Sequence, residues 1–214
     1  MKMKHITVMV VIALTLIAVI GCATDRQKAI DQSKPIRTEP ARRPDWVDNV
    51  PESLSTLSFV GSAGWYATAT GNAGARYYAE ENGRTQLVDY YGTLMGNIAR
   101  GYASTYGISS DILAPEIVAQ QLNERIARNV AQALAPRSYY TLVYLDNSNR
   151  EAYEVFVLMQ IEKGRVAQVI DAYGRDQAAE YAKRAQAEQD VMLKQQLQKA
   201  AEFFGGNFST TLGF

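Results

Sequence analysis

The stretch from Tyr139 to Ile161 constrains the fold more than any other part of the chain. Tyr139 to Leu145 (YYTLVYL) is rich in β-branched and aromatic residues, Asp146-Asn147-Ser148-Asn149 is turn chemistry, and Ala152 to Ile161 (AYEVFVLMQI) is a second such run. Two β-type runs about a polar tetrapeptide predict a β-hairpin. In the second run Tyr153, Val155, Val157, Met159 and Ile161 share one face. Glu154, Phe156, Leu158 and Gln160 share the other, which is polar only at its ends. One face is expected to meet helices, and the other to be partly covered.

The helices that could do this are visible on both sides of the hairpin. Leu57 to Gly64 (LSFVGSAG) reads as a first strand ending in a small-residue turn. A helical pattern follows from Ala73 to about Arg100, with Leu87, Tyr91, Leu94 and Ile98 spaced for one buried face. Gly83, Gly92 and Gly96 interrupt it, each at about 1 kcal/mol relative to Ala in a helix interior. Such a cost is expected where another element packs closely. Gly92 and Gly96 have the spacing of a membrane dimer motif, but Asp89, Asn97 and Arg100 around them exclude a bilayer span. After a break over 107–111, Pro115 suits the first turn of a second helix. There Val118, Leu122, Ile126, Val130 and Leu134 recur every fourth residue, and Pro136 is expected to stop it.

Beyond Gly164 a long helix is expected from about Arg165 to Phe204, bent at Gly174, with a narrow stripe of Leu193, Leu197, Ala200 and Phe204. Docking along the domain is expected ahead of pairing with a neighbouring subunit. The last ten residues, Gly205 to Phe214, are expected to fray, although Phe208, Thr210, Leu212 and Phe214 share a period-2 register that would suit a strand added to a partner's sheet. The fold class is α+β: about three antiparallel strands packed on long helices, in the order β-α-α-β-β-α.

The 214 residues include 47% apolar and 21% charged ones, enough for a buried core, and 22 basic residues balance 22 acidic ones. A neutral chain is a poor nucleic-acid binder, and no such partner is expected. The single histidine (His5) and single cysteine (Cys22) both fall at the N-terminus. Residues 1–21 carry Lys2 and Lys4, then an apolar run from Ile6 to Ile20, then Gly21. Fifteen helical residues rise roughly 22 Å, short of a bilayer core of roughly 30 Å, so a cleaved signal is the better reading. Val19-Ile20-Gly21-Cys22 resembles the bacterial lipobox, in which the chain is cut between Gly21 and Cys22 and the cysteine is lipidated. Ala23, in place of Asp, implies sorting to the outer membrane. Cleavage would leave 20 basic and 22 acidic residues, with no imidazole and no free thiol. Ser-His and Cys-His nucleophiles, Cys/His zinc sites and internal disulfides would all be excluded. No metal, no cofactor and no enzymatic activity are expected.

Four sections follow: a signal peptide at 1–21, a lipidated Pro-containing tether at 22–52, an α+β domain at 53–164, and a C-terminal helix and tail at 165–214. Pro35, Pro40, Pro44 and Pro51 make the tether an extended, semi-rigid spacer.

Within the domain, Gly71-Asn72-Ala73-Gly74 lacks both the G-x-G-x-x-G spacing and the Lys-Ser/Thr of a phosphate loop, and is read as a turn opening a helix. Glu80 and Glu81 point about 100° apart on a helix and are read as solvated surface, not as a facing acid/base pair. The tyrosine doublets Tyr77-Tyr78, Tyr90-Tyr91 and Tyr139-Tyr140 would each send one ring inward and one to the surface. Tyr77, Tyr90 and Tyr139, with Trp46 and Trp65 flanking the first strand, are therefore the candidate interaction residues.

Pro44-Asp45-Trp46-Val47, Phe59-Val60-Gly61-Ser62-Ala63-Gly64 and a helix bearing Ala75-Arg76 and Ala79-Glu80 resemble the LPP-twenty lipoprotein family, which includes flagellar lipoproteins, over roughly residues 44–165. Ser62 stands where a second glycine is common, and the helix after Gly164 is longer than the pattern. The resemblance implies a curved antiparallel sheet wrapped on a long helix, somewhat dodecin-like. It also implies attachment to the outer membrane and, for flagellar members, assembly around the motor; it brings no catalytic residues. The expected function is thus a non-enzymatic, periplasm-facing outer-membrane lipoprotein, whose partners are the membrane and either envelope proteins or further copies of itself. A ligand- or peptidoglycan-binding module on the same anchor is the alternative, and would gather Trp46, Trp65 and tyrosines around one cleft. A hydrolase would need two converging carboxylates.

Overall fold

The hairpin forms where the residue pattern places it, and the rest of the chain is arranged about it. The structure, a computed structural model, describes residues 34–66, 71–146, 148–206 and 208–214. Its strands are β1 (Arg37–Glu39), β2 (Thr56–Tyr66), β3 (Ala135–Leu145) and β4 (Glu151–Glu162). Its helices are α1 (Gly71–Tyr106), α2 (Pro115–Asn129), α3 (Lys163–Ala187), α4 (Val191–Gly205) and α5 (Phe208–Thr211). All strand pairings are antiparallel, in the spatial order β1-β3-β4-β2. The chain is a mixed α+β protein.

The inner face of β4 is buried as its alternation requires: Val155, Val157, Met159 and Ile161 are nearly or fully inaccessible. Helix α1 covers it. The buried residues of α1 recur every fourth position, at Ala75, Ala79, Gly83, Leu87, Tyr91, Met95, Ala99 and Ala103. A four-residue row drifts about 40° per step around a helix of 3.6 residues per turn. Over this length it turns most of the way round, so the first half faces the sheet and the second half faces α2. Leu94 and Ile98, expected on the main buried face, are only partly covered beside it.

Gly61 of β2 and Gly83, Gly92 and Gly96 of α1 mark close approaches, whereas Gly101 has open space beside it. A Cβ on Gly61 of β2 would lie 2.0 Å from the Ala79 carbonyl oxygen and 2.7 Å from the Gly83 nitrogen, so strand and helix meet backbone to backbone. A Cβ on Gly83 would lie 2.6 Å from Met159 Sδ, one on Gly92 would fall 1.7 Å from Asn123 Oδ1 of α2, and one on Gly96 would sit 3.1 Å from both Ala119 Cβ and the Pro115 oxygen. Tight packing within the domain is what the glycines serve. Gly107, at φ +63°, ends α1 in the left-handed conformation that glycine favours.

Several expectations are corrected. The run Gly61–Gly64 is not a turn; β2 continues to Tyr66 through an irregularity between Ala63 and Tyr66. Helix α2 ends at Asn129, and Val130 and Leu134 are buried around a 3-10 turn at Ala131–Ala133. Pro136 lies inside β3 instead of stopping a helix. Strand β1 pairs only with Thr141–Val143, so the outer edge of β3 is open at Pro136 and its missing N–H breaks no ladder there. The long tail breaks over 188–190, not at Gly174, because the Asp190 side chain accepts from the Leu193 N–H and starts a new helix. Gly174 instead takes Phe208 and the Phe204 oxygen against its backbone. The C-terminus does not fray: Phe208 and Leu212 are 3% and 7% exposed, and the Phe214 ring stacks on Tyr91 at 5.2 Å. Helices α3 and α4 form a hairpin in which Leu197, Ala200 and Phe204 are buried, with Leu193 of the expected stripe left 38% exposed.

A further correction concerns the tether. Residues 34–52 remain mostly exposed but are not a free spacer: Arg37–Glu39 is a fourth, edge strand, and Asp45–Val47 forms a 3-10 turn beside β4. Arg43 lies over the outer face of the sheet, 5.6 and 5.4 Å from the ring centroids of Tyr140 and Phe156, and donates to both oxygens of Asp48. Those hydrogen bonds hold the Asp48 carboxyl below its ordinary range. Tyr140, Ala152 and Leu158 are buried on this face.

The outer edge of β2 is closed by side chains from α1. Asn82 Oδ1 accepts from the Ser62 N–H at 3.0 Å, and Gln86 Nε2 donates to the Val60 carbonyl at 3.1 Å and to Asn82 Oδ1 at 2.9 Å. Among the described residues, no helix is long and apolar enough to cross a membrane.

Candidate functional site

The densest group of charged and hydrogen-bonding side chains away from the open surface lies where α1 passes β3. Helical spacing puts Asn72, Arg76, Glu80 and Arg84 in one row on α1, each a turn beyond the last. Strand alternation puts Tyr139 and Thr141 on the face of β3 that meets this row. The Tyr139 hydroxyl donates to Glu80 Oε1 at 2.6 Å. Arg84 donates to Glu80 Oε2 at 3.1 Å and to Glu81 Oε1 at 2.6 Å. Side-chain exposures of 14% for Arg84 and 21% for Glu80 make this pair half-buried, so reading Glu80 as solvated surface is corrected. Burial, and then the bond to Glu80, push the Tyr139 phenol up to about 12.

Arg76, in the same row, makes no such bond among the described residues. Its guanidinium carbon lies 4.7 Å above the Tyr139 ring, a cation–π distance, and among the described residues it has neither a carboxylate nor a hydrogen-bond acceptor. Asn72 Oδ1, Arg76 Nε, Arg84 Nε and Thr141 Oγ1 are all buried without a partner, and Thr141 is fully inaccessible. Only one other such atom, Asn123 Oδ1, occurs among the described residues. Chemically the junction offers donors, one amide acceptor and one hydroxyl. Its carboxylate bonds both Tyr139 and Arg84. Among the described residues, no group of three or more His, Cys, Asp or Glu side chains is placed to hold a metal.

A second feature is a surface cleft of about 840 Å³ between the 50–59 segment and α1, lined in part by Val50, Leu54, Phe59, Tyr90 and Leu212. Leu54 is 99% exposed.

The candidate residues are distributed over these surfaces and not gathered. Tyr139 is at the polar junction, and Tyr90 lines the cleft while Tyr91 is buried beneath it. Trp46 is half-buried in the 3-10 turn, away from both. Tyr77 and Tyr78 are both exposed, their rings in an edge-to-face pair at 5.5 Å, so that doublet departs from the one-in, one-out expectation. Trp65 lies in β2, with its backbone alone described, and Gly21 and Cys22 lie outside the described residues. Sequence reading did not single out Asn72, Arg76, Arg84 or Thr141 as site residues. The four-residue spacing of Arg76, Glu80 and Arg84 was a visible signal of a charged row; the pairing with β3 was not. No family model, no curated protein and no solved structure matches this chain.

Proposed function

We propose that this protein is a non-enzymatic lipoprotein of the bacterial outer membrane that presents an α+β interaction module to partners in the envelope, either other proteins or further copies of itself. The observation that carries the reading is the lone cysteine, Cys22, directly after Gly21 at the end of an apolar run, in a chain with no other thiol and no histidine beyond His5. The fold supports it by bringing the chain to order early. If Cys22 carries lipid, the link to β1 is residues 22–36, which at roughly 3.3–3.6 Å per residue reaches at most about 54 Å. The module then rides close to the bilayer, not on a long stalk. The exposed tyrosines Tyr77, Tyr78 and Tyr90 offer the kind of surface that interfaces favour. Resemblance to the LPP-twenty family adds a flagellar or other envelope assembly as the setting. The ligand-binding alternative gathers Trp46 and the tyrosines in one cleft; Trp46 and Tyr139 stand apart from the cleft that holds Tyr90.

Metabolic labelling with palmitate and membrane fractionation test the reading directly. The wild-type chain is expected to take label and sediment with outer membranes, and Cys22→Ala to do neither. A labelled or normally sedimenting Cys22→Ala would remove the anchor. A motility assay on a deletion strain decides the setting, since normal swimming removes the flagellar branch.

A further inference from the structure

We propose that the cleft between the 50–59 segment and α1 is where two copies of this chain pair about a two-fold axis, the Leu54 of each entering the cleft of the other. The inference rests on the interaction-module reading and sharpens it by choosing a second copy as the partner; the lipid anchor is not needed for it.

A projection and a hollow lie side by side on this surface. The hollow is the cleft of about 840 Å³, walled by Leu57 and Phe59 of β2, Tyr90 and Tyr91 of α1, and Leu212. The projection is Leu54, which borders the same cleft and is 99% exposed. Its position is built by hydrogen bonds. Ser53 Oγ accepts from the N–H groups of Ser55 at 3.2 Å and Thr56 at 3.3 Å, and the Ser55 carbonyl accepts from the Lys163 N–H at 2.9 Å. The loop is thus tied to itself and to the start of α3, with the leucine held out at its crest. A side chain presented in this way loses little freedom when it is captured. Val50 and Tyr90 border the cleft as well and are half exposed, so three open apolar side chains share one place.

Charge selects the partner. Glu52 and Lys163 also line the cleft, and among the described residues neither side chain has an ion pair or a hydrogen bond. One acid and one base cancel on a single copy, so the cleft favours neither an anion nor a cation. Across a two-fold axis the same two groups become complementary, because the Glu52 of each copy can face the Lys163 of the other. A patch that matches itself is what an isologous interface requires. Such a contact also closes, since each projection and each hollow is used once and no place is left for a third copy. A partner of different sequence could fill the hollow, but it would need a second pocket for Leu54.

Sedimentation of the full-length protein in detergent over a concentration series reads the outcome. Wild type is expected to show a reversible equilibrium between monomer and dimer. Leu54→Asp, at a fully exposed position, should leave unfolding unchanged and weaken pairing by about tenfold or more, because it sets a charge against an apolar wall. Glu52→Lys and Lys163→Glu should each weaken self-pairing by about threefold or more, by placing like charges opposite each other. Mixed together, these two variants should pair with each other as wild type does, since both ion pairs are then restored, and so should the double variant with itself. The proposal is overturned if wild type stays monomeric, if Leu54→Asp pairs like wild type, or if the mixed charge variants fail to pair. A monomer that takes palmitate label through Cys22 would remove the dimer and keep the lipoprotein reading, and an unlabelled dimer would do the reverse.

Discussion

Helix α1 treats its neighbours in two different ways. Against β2, β4 and α2 it approaches so closely that Gly61, Gly83, Gly92 and Gly96 leave no room for a methyl group without movement. Against β3 it presents a row of polar side chains, several with atoms that find no partner. The first contact is complete in the folded chain, and dispersion and apolar burial fix its geometry. The second is held by one carboxylate that bonds a tyrosine and an arginine, and it leaves Arg76 over. One helix therefore has a side closed by backbone packing and a side held by polar pairing. The division follows its sequence, with small residues in the row 75–83 and charged residues one position further on.

The largest effect should come from filling the tight side. Gly61→Ala sets a methyl against two backbone atoms that cannot rotate away, and is expected to cost about 3 kcal/mol in urea unfolding. A loss below about 1 kcal/mol would show that strand and helix slide apart easily, and the contrast would weaken. On the polar side, Arg84→Ala should cost about 2 kcal/mol, because it strips a half-buried carboxylate of its cation. Arg76→Ala should change stability by less than about 0.5 kcal/mol, since it breaks no hydrogen bond. Equal losses for the two arginines would erase the distinction between a spent and an unspent guanidinium. Gly92→Ala meets a side chain, not backbone, so about 1 kcal/mol is expected. Removing the obstacle in Gly92→Ala/Asn123→Ala should recover most of it, giving a clear coupling in a double-mutant cycle.

The smallest effect is alkaline. The Tyr139 phenol is raised to about 12 in the folded protein, against about 10 when unfolded. The folded state thus keeps this proton longer, so the associated stability is whole below pH 10 and is lost as the pH climbs from 10 through about 12. The stability gap between wild type and Tyr139→Phe should be constant at neutral pH and shrink across that window, as followed by unfolding at stepped pH. A gap that widens there would reverse the sign.

Much of the fold was legible because it rests on local periodicity. The alternation of β4 and the turn chemistry at 146–149 each carry their structural reason in adjacent residues, and Gly83, Gly92 and Gly96 announce close packing without naming its partner. What escaped lacks such a local mark. Strand β1 is Arg-Thr-Glu, without apolar signal, and it is a strand because the edge of β3 offers backbone partners about a hundred residues away. The break between α3 and α4 has neither Gly nor Pro, only the capping spacing of Asp190 and Leu193. At the junction Tyr139 stood out by its doublet. Thr141 and Asn72 became interesting only when a strand and a helix end were brought side by side, which no spacing encodes.

The paired carboxamides of Asn82 and Gln86 have a consequence for how copies of this molecule can coexist. They stand one helical turn apart and occupy an acceptor and a donor that a neighbouring strand would otherwise seek. The rim of the sheet along β2 thus brings its own stopper, and growth by strand addition is blocked there even in dense company. Any such growth is left to the opposite rim, where β1 spans only three residues and the open stretch of β3 carries a proline at its second position.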